Sequence, residues 1–184
     1  MSSPISIVFH SGFGHTARLA QAVAEGSGGT LLAIDSHGEL PPEGWDRLAA
    51  ARAIVFGSPT CMGNVSWQFK KFADASSPIW ARQGWKDKLA AGFTHSAGLN
   101  GDKLAALHAV FTLAQQHGML WAGTGMLPAS LKASKRDDLN YLAPFAGPMA
   151  ASPADAGADE LAPGDLETAR AFGHRVADLV RRFD

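Results

Sequence analysis

Short apolar runs alternate along this chain with stretches in which apolar positions recur every three or four residues. The runs Ile5–Phe9, Thr30–Ile34, Ala53–Phe56, Leu89–Thr94 and Met119–Ala122 read as strands. Helical spacing marks His15–Glu25, Trp45–Ala51, Ser66–Ser76, Gly101–His117 and Asp165–Arg182. The last of these carries Leu166, Ala169, Gly173, Val176 and Val180 on one face, suited to packing on a sheet. Strict alternation of strand and helix predicts an α/β fold with a doubly wound five-stranded parallel sheet, which we take as the flavodoxin-like order 2-1-3-4-5. In that topology a ligand lies outside the carboxyl ends of the first, third and fourth strands.

The first of those ends is the most informative. After Phe9 and His10 comes a tight polar loop, Ser11-Gly12-Phe13-Gly14-His15-Thr16, and then a helix. A strand, loop and helix N-terminus of this kind makes a nest for an anion, with backbone N–H groups and the helix dipole directed at one point. The loop has no lysine or arginine, so N–H groups and the hydroxyls of Ser11 and Thr16 would hold a phosphate. GxxxxGK[ST] is absent, which removes a Walker A loop. Gly12, Gly14 and Ala17 fit the looser GxGxx[G/A] fingerprint, with Asp35 about where its acidic residue belongs. A dinucleotide and a single phosphate monoester such as FMN both remain open from this segment.

Two further loops follow predicted strands. Gly57-Ser58-Pro59-Thr60-Cys61-Met62-Gly63-Asn64 is stiffened by its proline, and its glycines permit close backbone approach. His95-Ser96-Ala97-Gly98-Leu99-Asn100-Gly101 is the second. Together the three loops offer one phosphate site and two edges for a flat heterocycle.

With these segments in view, the chain resembles the flavodoxin-like NAD(P)H:quinone oxidoreductases of the WrbA type. The resemblance is carried by SGFGHTARLAQAVAEG, AIVFGSPTCMGNVSWQFKKFADAS and LAAGFTHSAGLNG, in the family's order and spacing. It implies bound FMN and two-electron transfer from NAD(P)H to a quinone or similar acceptor. By position, it implies that Ser11, Gly12, Phe13, Gly14, His15 and Thr16 bind the FMN phosphate, His15 through its backbone N–H. Pro59, Thr60, Cys61, Met62, Gly63 and Asn64 would lie along the ring, and Ser96, Ala97, Gly98, Leu99, Asn100 and Gly101 at its pyrimidine end. His117 matches a family histidine close to the ring and is the catalytic candidate. Trp80 matches an aromatic that closes the substrate space, and Phe13 one near the approach of the nicotinamide nucleotide. The chain departs from the family pattern at Cys61 and Met62, where Arg and an aromatic residue are usual, and at Phe13, where tyrosine is common. Asn140–Ser152 resembles another branch, the less characterised flavodoxin-like oxidoreductases.

Composition narrows the alternatives. A formal net charge of −1 lacks the basic face that nucleic acid requires. It also speaks against a small acidic electron carrier steered onto basic partners. A flavodoxin-type carrier, an NAD(P)H-dependent FMN reductase and a protein-binding module with vestigial FMN are the alternatives to a quinone reductase. The single cysteine, Cys61, permits no internal disulfide and suits a reducing cytoplasm. The N-terminal residues MSSPISIVFH show no signal-peptide pattern, and no apolar run reaches the ~20 residues of a membrane helix. His10, His37, His108 and His174 form no metal-ligand spacing and read as structural or exposed. His95 reads as a strand-end packing residue, and Phe69 and Phe72 as core. The 184 residues suit one domain, 1–184. The Ala-, Pro- and Gly-rich stretch 128–164 is expected to be an excursion over the site mouth or at a subunit interface. Family members are often dimers or tetramers, so the resemblance implies a homodimer or homotetramer.

Overall fold

The computed structural model describes residues 4–183; residues 1–3 and 184, the ends of the expected domain and the first residues of the supposed non-signal N-terminus, lie outside them. The elements run β1 (Ile5–His10), α1 (His15–Ser27), β2 (Thr30–Ile34), α2 (Pro42–Ala50), β3 (Ala53–Cys61), β4 (Asn64–Val65), α3 (Trp67–Ala75), α4 (Ser77–Ala81), β5 (Leu89–Ser96), α5 (Lys103–Gln116), β6 (Leu120–Trp121), β7 (Met149–Ala151) and α6 (Pro163–Arg182). The main sheet is parallel, in the order β2-β1-β3-β5-β6.

Alternation along the central strands builds two cores. Ile5, Ile7 and Phe9 of β1, with Val55 of β3 and Ala91 and Phe93 of β5, face α1 and α6. Val8, Ile54, Phe56 and Ala90 point the other way, into a core with Phe69, Phe72, Trp85 and Val110. Every residue of β1 is buried, as expected for a parallel strand covered on both faces.

The fifth position of the sheet is split. β6 pairs with Leu89 and Ala90 at the start of β5, while β7 pairs in parallel with Thr94, His95 and Ser96 at its end. Counted by position, the expected order 2-1-3-4-5 is the observed one, with β6 and β7 sharing the last place. The sequence pattern predicts a single strand there, Met119–Ala122, with Met149–Ala151 inside the excursion. The excursion is fastened to the fold. The Trp121 indole N–H donates to the Ala146 carbonyl at 3.0 Å, and the Thr94 N–H to the Pro148 carbonyl at 3.0 Å. Arg136 grips the buried Asp165 at the start of α6 through both guanidinium nitrogens, at 2.7 and 2.5 Å. Asp165 also accepts from the Ala151 N–H at 3.0 Å, so one carboxylate ties excursion, β7 and α6 together.

Residues 57–64 differ from the expected loop. They are not a free loop: β3 runs on to Cys61, and Cys61 pairs with Asn64 across a two-residue turn. Met62 (φ 48°) and Gly63 (φ 73°) both occupy the left-handed region, the geometry of a tight primed hairpin turn. That turn holds Met62 fully out in solvent.

Candidate functional site

The carboxyl ends of β1, β3 and β5 open into a cavity of about 720 Å3. From the first loop it is lined by Ser11, Gly12, Phe13, His15 and Thr16, and from β3 by Pro59, Thr60 and Cys61. β5 and its loop contribute His95, Ser96 and Ala97. The three segments singled out in the sequence therefore meet in one space. Ser66, Trp67 and Gln68 at the start of α3 were not foreseen there; Ser152 to Ala156, after β7 and within the 128–164 excursion, also line the cavity. His10, read as structural or exposed, also lines the cavity.

The first loop is built as an anion nest. Ser11 Oγ accepts from the N–H groups of Gly14 and Ala17, each at 3.1 Å, and so brackets the turn from within. Gly14 sits at φ 91° as the N-cap of α1 and has no side chain to cover the helix end. Thr16 is buried in the first turn. The first loop thus brings the amino end of α1, with its backbone N–H groups and the hydroxyls of Ser11 and Thr16, to the cavity. Asp155 is the only charged residue among those that line it.

The walls are held by side-chain contacts. Thr60 and Thr94 share a hydroxyl–hydroxyl hydrogen bond of 2.8 Å between β3 and β5. His10 Nδ1 lies 2.9 Å from Ser66 Oγ, which also caps α3 by accepting from the Phe69 N–H at 3.3 Å. Burial pushes the His10 imidazole below its ordinary range. The Cys61 thiol is pushed up by partial desolvation, the opposite of what activates a thiol.

A stacked histidine pair secures the fourth wall. His15 and His95 lie 4.6 Å apart between ring centroids, within 5° of parallel. His15 Nε2 donates to the Ala156 carbonyl at 3.0 Å, and His95 Nε2 lies 2.8 Å from Ser152 Oγ. Each ring therefore pins one end of the 152–156 segment. The His15 side chain is turned to this segment, which leaves its backbone N–H in the first loop. His95, expected only to pack, is pushed down to about 4 by burial, with the charges of His15 and Lys103 adding to the effect.

That shift has a stability consequence. In the unfolded chain His95 takes its proton near 6.5, in the folded chain near 4. Its contribution is complete above pH 6.5 and is lost as the pH falls toward 4, because there the unfolded chain binds the extra proton. Replacing His95 with Asn is expected to flatten the acid limb of stability, read as the urea midpoint followed across that interval. An unaltered slope would assign the limb to other groups.

Not every expected residue reaches the cavity. Met62 and Gly63 form the hairpin tip, while Asn64 lies on the α3 side of it. Gly98, Leu99, Asn100 and Gly101 shape the loop below Ser96. Gly101 is required there, because a Cβ would lie 2.2 Å from Ser96 Oγ. His117 and Trp80 lie apart from this cavity. His117 lies past the carboxyl end of α5, away from the loop where that helix begins. It is buried against Trp85 (4.3 Å between ring centroids) and hydrogen bonded through Nε2 to Ser76 Oγ at 2.8 Å. Trp80 is half exposed, and both residues line a separate pocket with Gln83 and Lys86.

The arrangement suits a phosphorylated flat ring: a nest for the phosphate, polar edges from two strand ends and an exposed aromatic, Phe13, at the rim. A family model described as NADPH-dependent FMN reductase matches residues 33–132. Flavodoxin FldP of Pseudomonas aeruginosa is 50% identical over 173 residues, covering 94% of each chain. An NAD(P)H dehydrogenase (quinone) of Solidesulfovibrio magneticus is 30% identical, covering 97% of this chain and 98% of its own. The crystal structure of a WrbA-like flavodoxin from Agrobacterium tumefaciens superposes with a TM-score of 0.81 at 49% identity over the whole of both chains. Fold, cavity and relatives agree, and the chain belongs to the WrbA-like, flavodoxin-fold FMN reductase family.

Proposed function

We propose that this protein is an oxidoreductase that binds one FMN in the cavity at the ends of β1, β3 and β5 and passes two electrons from NAD(P)H to a quinone or similar acceptor. The observation that carries the reading is the convergence of the Ser11–Thr16 nest with two polar strand ends in one cavity. Bound there, FMN supplies the two-electron chemistry; the chain supplies binding and electrostatics.

In this reading Ser11 and Thr16, with the N–H groups of Gly12, Phe13, His15 and Thr16, hold the phosphate. Pro59, Thr60 and Cys61 border one side of the ring, and Ser96 and Ala97 the pyrimidine end. The stacked His15 and His95 keep the 152–156 segment in place and so close the wall to water. Phe13, 91% exposed at the rim, offers a face on which a nicotinamide or quinone ring can stack. His10 and His95, both kept below their ordinary range by burial, are neutral hydrogen-bonding groups at neutral pH. Neither repels a cationic nicotinamide. A cytoplasmic location and a homodimer or homotetramer complete the proposal, the latter supported by the exposed apolar side chains of Met62 and Trp67. No helix among the described residues is long and apolar enough to cross a membrane.

The electron-carrier reading is favoured by one observation, the 50% identity to a protein named a flavodoxin. Anaerobic stopped-flow spectroscopy separates the two. The FMN-loaded protein is mixed with NADH or NADPH and then with benzoquinone. Rapid bleaching of the flavin band followed by reoxidation is the expected result. A flavin that binds and stays oxidised under both nucleotides would overturn the enzyme and leave the carrier.

A further inference from the structure

Lys103 is the first residue of α5 and is 1% exposed. A lysine is seldom buried so fully, and the amino end of a helix is the wrong pole for a cation. Its Nζ donates to Ser96 Oγ at 2.9 Å and to the Gly98 carbonyl. Both acceptors are uncharged. The nearby carboxylate, Asp165, is engaged by both guanidinium nitrogens of Arg136 and by the Ala151 N–H. Among the described residues Lys103 has no ion-pair partner of its own. The group Lys103, Arg136 and Asp165 thus carries one net positive charge behind the β5 end of the cavity. Desolvation by burial lowers the lysine's proton affinity, and the field of Asp165 partly offsets this. The same positive charge reaches into the cavity wall, where it helps to keep His95 neutral.

A buried cation held on neutral oxygens is costly unless something negative answers it. Ser96, the residue it grips, lines the cavity, and no lysine or arginine does. The Ser96 hydroxyl accepts from Lys103 and donates to the Gly98 carbonyl at 3.0 Å, so it holds the ammonium behind the cavity wall. We infer that Lys103, fixed there by Ser96, is a positioning residue whose ammonium stabilises through its field the negative charge that FMN acquires in this cavity on reduction. The inference rests on the FMN reading above. The charge balance is simple: two electrons from the nicotinamide nucleotide with one proton leave the ring one unit more negative than before. A fixed positive charge behind its pyrimidine end favours that form over the oxidised one.

The test is an anaerobic spectroelectrochemical titration of the FMN-loaded protein, with binding of oxidised and reduced FMN measured in parallel. Lys103→Met is expected to weaken reduced FMN about tenfold more than oxidised FMN, which for a two-electron couple lowers the midpoint potential by about 30 mV. Lys103→Arg is expected to recover most of the shift. A purely structural role would weaken both forms equally and leave the potential where it was; that result overturns the proposal. If Lys103→Met does not fold, the wild-type protein decides alone. It must bind reduced FMN more tightly than oxidised FMN, and the reverse order overturns the proposal. A wild-type protein that retains neither form of FMN would instead overturn the FMN reading itself.

Discussion

Replacing Gly173 with Val is expected to destabilise the protein by about 3 kcal/mol, the upper range for overpacking a closed interface. Gly173 lies on α6 where that helix crosses α1. A Cβ there would stand 2.3 Å from the Val23 carbonyl oxygen and 3.0 Å from the Ser27 nitrogen. Gly26 makes the reciprocal approach, its Cβ position lying 2.0 Å from the Arg170 carbonyl oxygen. These are backbone contacts on both sides, so no side chain can swing aside. The helices would have to separate, opening the core of Ala22, Val23, Ala169, Phe172 and Val176. Because α1 carries the anion nest at its amino end, FMN affinity is expected to fall with stability. Gly28 provides the contrast. Its φ of 67° penalises an alanine, but nothing lies within 4 Å of the new Cβ, so Gly28→Ala is expected to cost only about 1 kcal/mol. Urea unfolding reads both values, as shifts of midpoint at an unchanged slope. Equal shifts in the two variants would mean that the helix crossing is not the tight contact that the backbone distances describe.

What could be read in the chain follows the range of the interactions involved. The strands β1 and β2, the start of β3 and the long helices are encoded by local periodicity and were legible to within a few residues. So were the three loops that meet in the cavity, because glycine and hydroxyl residues after an apolar run carry local meaning. The split fifth position was not. Met149–Ala151 is three residues of weak strand character in an Ala- and Pro-rich stretch, and it becomes a strand only through pairing with the end of β5. The excursion over the site mouth was legible from its composition, but the way 152–156 is fastened was not, since it is held by His15 and His95 from distant parts of the chain. His10 closes β1 and could have been flagged, as a titratable residue at the carboxyl end of a predicted first strand. The distance of His117 from the cavity is a matter of length. α5 begins beside Ser96 and runs for 14 residues, about 20 Å, before His117. A helix of that length, starting at the cavity and returning antiparallel to the strands, delivers its last residue to the opposite end of the sheet.

The second large effect is expected at Ser11. Its hydroxyl accepts two backbone N–H groups, from Gly14 and Ala17, and both belong to the turn that opens α1. Ser11→Ala removes the acceptor and leaves two donors at a helix amino end without their partner. Each lost bracket contributes about 1 kcal/mol, so the pair is worth about 2 kcal/mol, or roughly thirtyfold in the affinity for FMN. The loss should fall on the phosphate. Without its internal bracket, Gly14 is no longer held at φ 91°, and the N–H groups before Thr16 cease to point at one place. Riboflavin has the same ring and no phosphate, and therefore serves as the control. Titration of the flavin-free protein by fluorescence quenching is expected to show FMN weakened roughly thirtyfold with riboflavin almost unchanged. Equal losses for both ligands would mean that Ser11 shapes the whole cavity. An unchanged FMN affinity would put the phosphate away from this nest. It would also remove the central argument for the orientation in which Ser96 and Lys103 face the far end of the ring.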